Sequence, residues 1–173
     1  MNYKEKLNKI KTFVFDIDGV FTDGKIMVNS EGNESRSFNT KDGIAVKLAN
    51  DLGYNIAIIT GANNKGIRTR LNRLGIKNIY LNSSNKIKDL LDYSKKNDIN
   101  LEKTVYMGDD IPDTFPMDLV ALKTCPFDAV PEVREICDYI SNKKGGEGCV
   151  RDIIEQTLKV QGNWIMNKKN QNI

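Results

Sequence analysis

Histidine is absent from all 173 residues. That absence excludes Ser-His-Asp and Cys-His catalysis and the usual His-ligated zinc sites. Proton transfer near neutral pH must then come from carboxylates, lysines or the substrate itself. Cysteine is scarce: Cys125, Cys137 and Cys149 are odd in number and form no Cys-x-x-Cys pair. They read as buried structural thiols, not as a disulfide or a zinc site. No apolar run approaches the roughly 20 residues that span a bilayer. Met1 to Lys6 also lacks the apolar stretch of a signal peptide. Charge of one sign is missing too, since 26 basic and 23 acidic residues leave a net +3. That balance is too even to argue for nucleic acid, and a few cations around an anionic substrate account for it. The expectation is a cytoplasmic protein with neither a membrane nor a nucleic-acid partner.

What is present is organised around Phe13-Val14-Phe15-Asp16-Ile17-Asp18-Gly19-Val20. An uninterrupted apolar run reads as a strand buried on both faces of a parallel sheet. Its end carries Asp16 and Asp18 to the sheet's carboxyl edge, where open α/β folds keep their ligands. Two unpaired carboxylates there would repel, so a cation or a shared proton is expected.

Along the chain, strand one covers about Thr12 to Phe15, after a short polar lead-in. Lys25 to Phe38 reads as an inserted β-hairpin around the turn cluster Asn29 to Asn33. A helix then runs to about Leu52, with Ile44, Leu48 and Leu52 at helical spacing and Gly53 as its stop. Strands are expected at Asn55–Ile59, Asn78–Leu81 and Thr104–Met107, with weaker ones at Asp118–Leu122 and Tyr139–Ile140. Helices are expected at Asn64–Leu74, Ser84–Lys96 and Cys149–Val160. This alternation specifies a Rossmann-like α/β fold: a parallel sheet with helices on both faces and no separate cap domain. Residues 1–164 form one expected domain, and the polar tail 165–173 is expected to fray.

Strand ends of a parallel sheet converge, so Asp16, Asp18, Thr60, Asp109 and Asp110 can meet, with Lys86 on the same edge. Carboxylates, a hydroxyl and an ammonium beside a hard cation suit phosphoryl transfer. Asp16 is the expected nucleophile, forming an aspartyl-phosphate. Asp18 protonates the leaving alcohol and later activates water, which calls for a raised pKa and a side chain kept off the metal. Asp16, Asp18 and Asp109 make up the magnesium-site set, with Mg2+ the expected cofactor. Thr60, Gly61 and nearby backbone N–H groups hold phosphate oxygens, and Lys86 neutralises the phosphoryl charge. Asp110 and Asp113 stand behind them, Asp113 orienting Lys86 or a metal-bound water. A calcium loop is excluded: the glycine comes two positions early, and Met27 stands where the closing Glu belongs.

With Asp16-x-Asp18-Gly-Val, Thr60-Gly61, Lys86 and Gly108-Asp109-Asp110-x-x-Asp113 in order, the chain resembles the haloacid dehalogenase (HAD) superfamily of phosphatases. Within it the chain is similar to the family of 3-deoxy-D-manno-octulosonate 8-phosphate (KDO 8-phosphate) phosphatases. The selective points are Thr22-Asp23-Gly24, Phe38 to Gly43, Tyr106 to Asp113, Asp128 to Val133, Gly145-Gly146-x-Gly148 and Gln161-Gly162. The resemblance implies a phosphorylated sugar acid as substrate, within lipopolysaccharide precursor synthesis. It also implies a capless homotetramer whose hairpins form a central barrel, with a neighbouring subunit closing each active site. It further implies that Asn39, Thr40, Lys41, Asp42, Gly43, Lys47 and Arg70 contact the sugar acid or its phosphate. Ala62 and Lys41 depart from the arginines that many relatives carry there, which keeps a nine-carbon 2-keto sugar acid 9-phosphate as the alternative substrate.

Two other classes compete. A signalling receiver domain also uses acids, a Thr and a Lys, but its acidic pair and its phosphorylated Asp lie on different strands. A non-catalytic oligomerisation module would not need the intact set of catalytic groups.

Overall fold

The computed structural model describes residues 2–164; the tail expected at 165–173 lies outside the described residues. Strand β1 (Thr12–Phe15) is central and parallel to both β4 (Asn55–Ile59) and β6 (Thr104–Met107). With β5 (Asn78–Tyr80), β7 (Leu122–Cys125) and β8 (Tyr139–Ile140) the sheet order is β5-β4-β1-β6-β7-β8, parallel throughout. The apolar run of β1 is buried on both faces, as its composition requires. Phe13 and Phe15 enter one core with α2 (Thr40–Asp51) and α7 (Cys149–Val160). Val14 enters the other, beneath α4 (Lys86–Asn97), with Ala57, Ile59 and Tyr106. After β1 the chain builds outward to β4 and β5, then returns to place β6 on the other side. The crevice between the carboxyl ends of β1 and β6 is therefore a topological switch point.

The hairpin is shorter than the sequence suggested. Only β2 (Met27–Val28) and β3 (Glu34–Ser35) pair, closed by Asn29, whose Oδ1 accepts from the Glu31 and Asn33 amides. Helix α3 (Lys65–Arg73) begins at Asn64, whose Oδ1 caps the Gly66 amide at 2.7 Å. The Asn64 Nδ2 reaches the Glu34 carbonyl at 3.0 Å and ties the hairpin to this helix start.

Three expectations need correction. The strand expected at Asp118–Leu122 begins where that segment ends, because α5 (Ile111–Met117) occupies the chain before it. Pro112 sits in the first turn of α5, where a missing N–H costs nothing, yet in sequence it reads as a breaker. Helices α1 (Tyr3–Leu7) and α6 (Pro131–Ile136) likewise form where the sequence shows no helical pattern. Finally, the buried face of α2 is Ala45, Val46, Leu48 and Ala49, leaving Ile44 46% exposed. Small side chains let α2 pack against α7, and of the three residues at helical spacing only Leu48 shares that buried face, while Ile44 and Leu52 stay outside it.

Candidate active site

Asp16 leaves β1 with its amide bonded to the Met107 carbonyl (3.1 Å) and its Oδ1 accepting the Ile17 amide (2.6 Å). The chain must then turn sharply, and Gly19 does so at φ +82°. A Cβ on Gly19 would lie 1.9 Å from Asp109 Oδ2, so only glycine lets the two loops meet. Beyond β6, Asp110 and Asp113 form a capping box at the start of α5. Gly108 has no side chain because the Asp113 carboxyl fills that space, 2.2 Å from where its Cβ would stand.

Lys86, the first residue of α4, bridges Asp16 Oδ2 (2.6 Å) and Asp113 Oδ1 (2.7 Å). Burial pulls this ammonium's pKa down, but Asp16 and Asp113 together outweigh burial and hold it above the ordinary lysine value. Asp113 is saturated. Its Oδ1 also accepts the Tyr106 hydroxyl (2.9 Å), and its Oδ2 faces the amides of Asp109 (3.2 Å) and Asp110 (3.5 Å). Burial holds the Tyr106 phenol far above its usual pKa, so it remains a donor.

Asp109 differs. Its Oδ1 is buried without a hydrogen-bond partner, and burial, with Asp16 and Asp113 adding to it, pushes its pKa up to about 8. Carboxylate oxygens of Asp16, Asp109 and Asp113 lie within 4.8 Å of one another. Since Asp113 is already committed to four donors, Asp16 and Asp109 supply the two oxygens left to meet a cation. An orphaned carboxylate beside a second one fits a hard divalent ion.

Thr60, at the end of β4, is buried; its Oγ1 accepts the Ala62 amide (3.2 Å), which leaves the O–H free to donate. A cavity of about 690 Å³ gathers Asp16, Asp18, Thr60, Gly61, Lys86 and Asp109, with Asp110 and Asp113 also on its wall. The Asp18 carboxylate stands outside the acidic cluster. It is forked by Arg36, from Nε to Oδ1 at 2.6 Å and from Nη2 to Oδ2 at 3.0 Å. The fork keeps the Asp18 side chain off the metal residues, as its expected role as proton donor asks, and apart from the Asp16 and Asp109 carboxylates with which the magnesium-site set groups it. Arg36 is absent from the expected site because a cation at a hairpin end looks like a solvated surface residue. The one available signal was the hairpin's insertion directly after the Asp16-x-Asp18 turn.

The residues expected to touch the sugar acid are not brought to this cavity or to the adjoining one among the described residues. Asp42 is buried and its Oδ1 accepts the Arg151 amide (2.7 Å), capping α7 in place of Gly148, which has no side chain. Burial pushes Asp42 up to about 6. Asn39 caps α2 through the Lys41 amide and donates to the Gly146 carbonyl at 3.1 Å. Gly43 lies under Arg70, whose Nη2 is 2.8 Å from where a Gly43 Cβ would stand. Thr40, Lys41 and Lys47 face outward on α2. Gln161 is structural as well, donating to the Leu7 (2.8 Å) and Ile10 (2.9 Å) carbonyls.

Among the described residues no helix is long and apolar enough to cross a membrane. No family model matches the chain. The 3-deoxy-D-manno-octulosonate 8-phosphate phosphatase KdsC of Escherichia coli strain K12 is 35% identical over 157 residues, covering 91% of this chain and 84% of that protein. The Yersinia pestis 3-deoxy-D-manno-octulosonate 8-phosphate phosphatase structure matches with a TM-score of 0.91 at 30% identity, over 93% of this chain and 87% of that one. The Moraxella catarrhalis phosphatase of the same name, solved with a magnesium ion, a phosphate ion and a KDO molecule, matches with a TM-score of 0.90 at 35% identity. That match covers 93% of this chain and 92% of that one. With relatives of this identity and coverage, and with the acidic switch point already described, the chain belongs to the KDO 8-phosphate phosphatase family of the HAD superfamily.

Proposed function

We propose that this protein is a magnesium-dependent phosphatase that hydrolyses KDO 8-phosphate to KDO and phosphate through a phosphorylated Asp16. The observation that carries the reading is the charge arrangement of the cavity. Lys86 is locked between Asp16 and Asp113, while Asp109 keeps a buried oxygen without a partner. The KDO and phosphate bound by the Moraxella catarrhalis relative support the substrate class. The product would serve lipopolysaccharide precursor synthesis.

Asp16 and Asp109 would hold magnesium, which when bound would neutralise phosphoryl charge. An Asp16 oxygen attacks phosphorus, the bond from phosphorus to the sugar oxygen breaks, and Asp18 gives that oxygen its proton. Water then attacks the phosphorus on Asp16 and loses its proton to Asp18 as the bond from phosphorus to the Asp16 oxygen breaks, which releases phosphate and restores both carboxyl groups. Lys86 offsets the charge on the phosphoryl oxygens, and the Thr60 O–H and the Gly61 backbone donate to them. Asp110 fixes the start of α5, and Asp113 holds Lys86 in line.

The test is a phosphate-release assay with magnesium, comparing KDO 8-phosphate with nine-carbon 2-keto sugar acid 9-phosphates. KDO 8-phosphate should be preferred; a clear preference for the nine-carbon esters overturns the substrate and leaves the chemistry standing.

Magnesium affinity should follow Asp109. Its raised pKa means that the metal-free protein carries a proton there at pH 7, and binding must expel it. Affinity should therefore climb about tenfold per pH unit below 8 and level off above it, with proton release near pH 7. Calorimetry in buffers of different ionisation enthalpy measures the protons directly. A pH-independent affinity would contradict the assignment.

The assembly reading is a homotetramer in which exposed Ile26, Met27 and Val28 of the hairpin are covered by neighbouring copies. Thr40, Lys41 and Lys47, which face outward on α2, and Arg70, which lies over Gly43, then act on a neighbour's substrate, while the buried Asp42 and Gly43 serve the fold of that face. A monomer mass by light scattering would remove this part. A single catalytic domain over residues 1–164, followed by the 165–173 tail, completes the proposal.

A further inference from the structure

We infer that Arg36 is the positioning residue for Asp18, so that the hairpin, not the sheet, sets the geometry of proton transfer. The inference rests on the reading of Asp18 as the general acid and base. Asp18 emerges from a tight turn, while the neighbouring acids Asp16 and Asp109 belong to the metal-binding cluster. Nothing on its own loop fixes its carboxylate firmly, since the nearest contact there is the Thr22 hydroxyl at 3.5 Å. The fork from Arg36 supplies two bonds, at 2.6 and 3.0 Å, in the bidentate geometry that locks a carboxylate plane.

Arg36 is itself held. Its side chain is only 4% exposed, although it comes from a hairpin whose neighbouring residues are solvent-facing. Its Nη1 donates to Glu34 Oε2 at 2.9 Å, and the Glu34 carbonyl is tied to Asn64 at the start of α3. A chain of contacts thus runs from α3 through Glu34 and Arg36 to Asp18. It keeps the Asp18 carboxylate out of the Asp16–Asp109–Asp113 cluster and at the boundary between the main cavity and a second one of about 630 Å³. Asp18 lines both cavities, where a leaving alcohol would pass from the phosphoryl site into the space beneath the hairpin.

A positioning role separates proton transfer from binding. Arg36→Ala should lower kcat on KDO 8-phosphate by about 10²-fold, the scale of a misplaced catalytic group, with KM little changed. p-Nitrophenyl phosphate has a leaving group that needs no proton, so the rate of its first-turnover burst should fall far less. Arg36→Lys keeps one charge but not the fork and should recover only part of the loss. Added ethylguanidinium should rescue Arg36→Ala. Proportional losses on both substrates, a change in KM alone, or no loss at all would overturn the inference. If Arg36→Ala does not fold by thermal melting, Arg36→Lys decides by the same comparison of substrates. Asp18→Asn run in parallel separates the two readings. An active Asp18→Asn enzyme removes the acid–base role itself, whereas an impaired one beside an unimpaired Arg36 variant removes only the positioning role.

Discussion

Asp16→Asn should abolish turnover of KDO 8-phosphate, with a loss of about 10⁴-fold or more, as when nucleophiles are removed from other covalent catalysts. The substitution is nearly isosteric, so shape is kept while the attacking oxygen is lost. Unfolding is not the expected cause. The metal-free site crowds Asp16, Asp109 and Asp113 within 4.8 Å, and the Asp16 charge is one reason Asp109 is pushed up to about 8. Removing that charge relieves repulsion, while Lys86 keeps its bond to Asp113 at 2.7 Å. The weakened 2.6 Å contact from Lys86 to residue 16 opposes that relief, so the thermal midpoint without magnesium should stay near the parent's as activity disappears. Mass spectrometry of acid-quenched enzyme should find the phosphorylated species in the parent and none in the variant. Near-normal phosphate release by Asp16→Asn would falsify the nucleophile assignment.

The parts of this site legible in the sequence are those fixed by the backbone of the sheet. An apolar run followed by Asp-x-Asp-Gly states where a buried strand ends, and parallel topology then brings Thr60, Lys86 and Asp109 to the same edge. The same logic tells the fold from a receiver domain, because Asp16 and Asp18 follow one strand, β1. Connections between side chains are less legible. Asp42 and Gln161 stand in family-like motifs, yet they spend their polar atoms on α7 and on the amino-terminal edge of the sheet. Short helices that start or turn at proline, such as α5 and α6, are hidden because proline reads as a breaker unless its place in the first turn is known. Arg36 is hidden for a different reason: its burial comes from a hairpin folding back over a loop, which no local periodicity reports.

Asp18→Asn should slow hydrolysis of KDO 8-phosphate by about 10²- to 10⁴-fold, the usual range for general acid–base catalysis. Which step fails should depend on the leaving group. A sugar alkoxide is a poor leaving group, so without a proton from Asp18 the first step itself stalls and little phosphoenzyme forms. p-Nitrophenolate leaves unaided, so the Asp18→Asn enzyme should still permit attack by Asp16 and then fail to activate water. The variant should accordingly give a stoichiometric burst of nitrophenolate and slow turnover afterwards, with phosphate remaining on Asp16. Loss of the Arg36 contact alone should give a weaker form of this pattern, because the Arg36 variants keep a carboxylate, now less well placed, to accept the proton from water. An Asp18→Asn enzyme that turns over both substrates at parent rates, or loses both without a burst, would show that Asp18 does not carry the proton in either step.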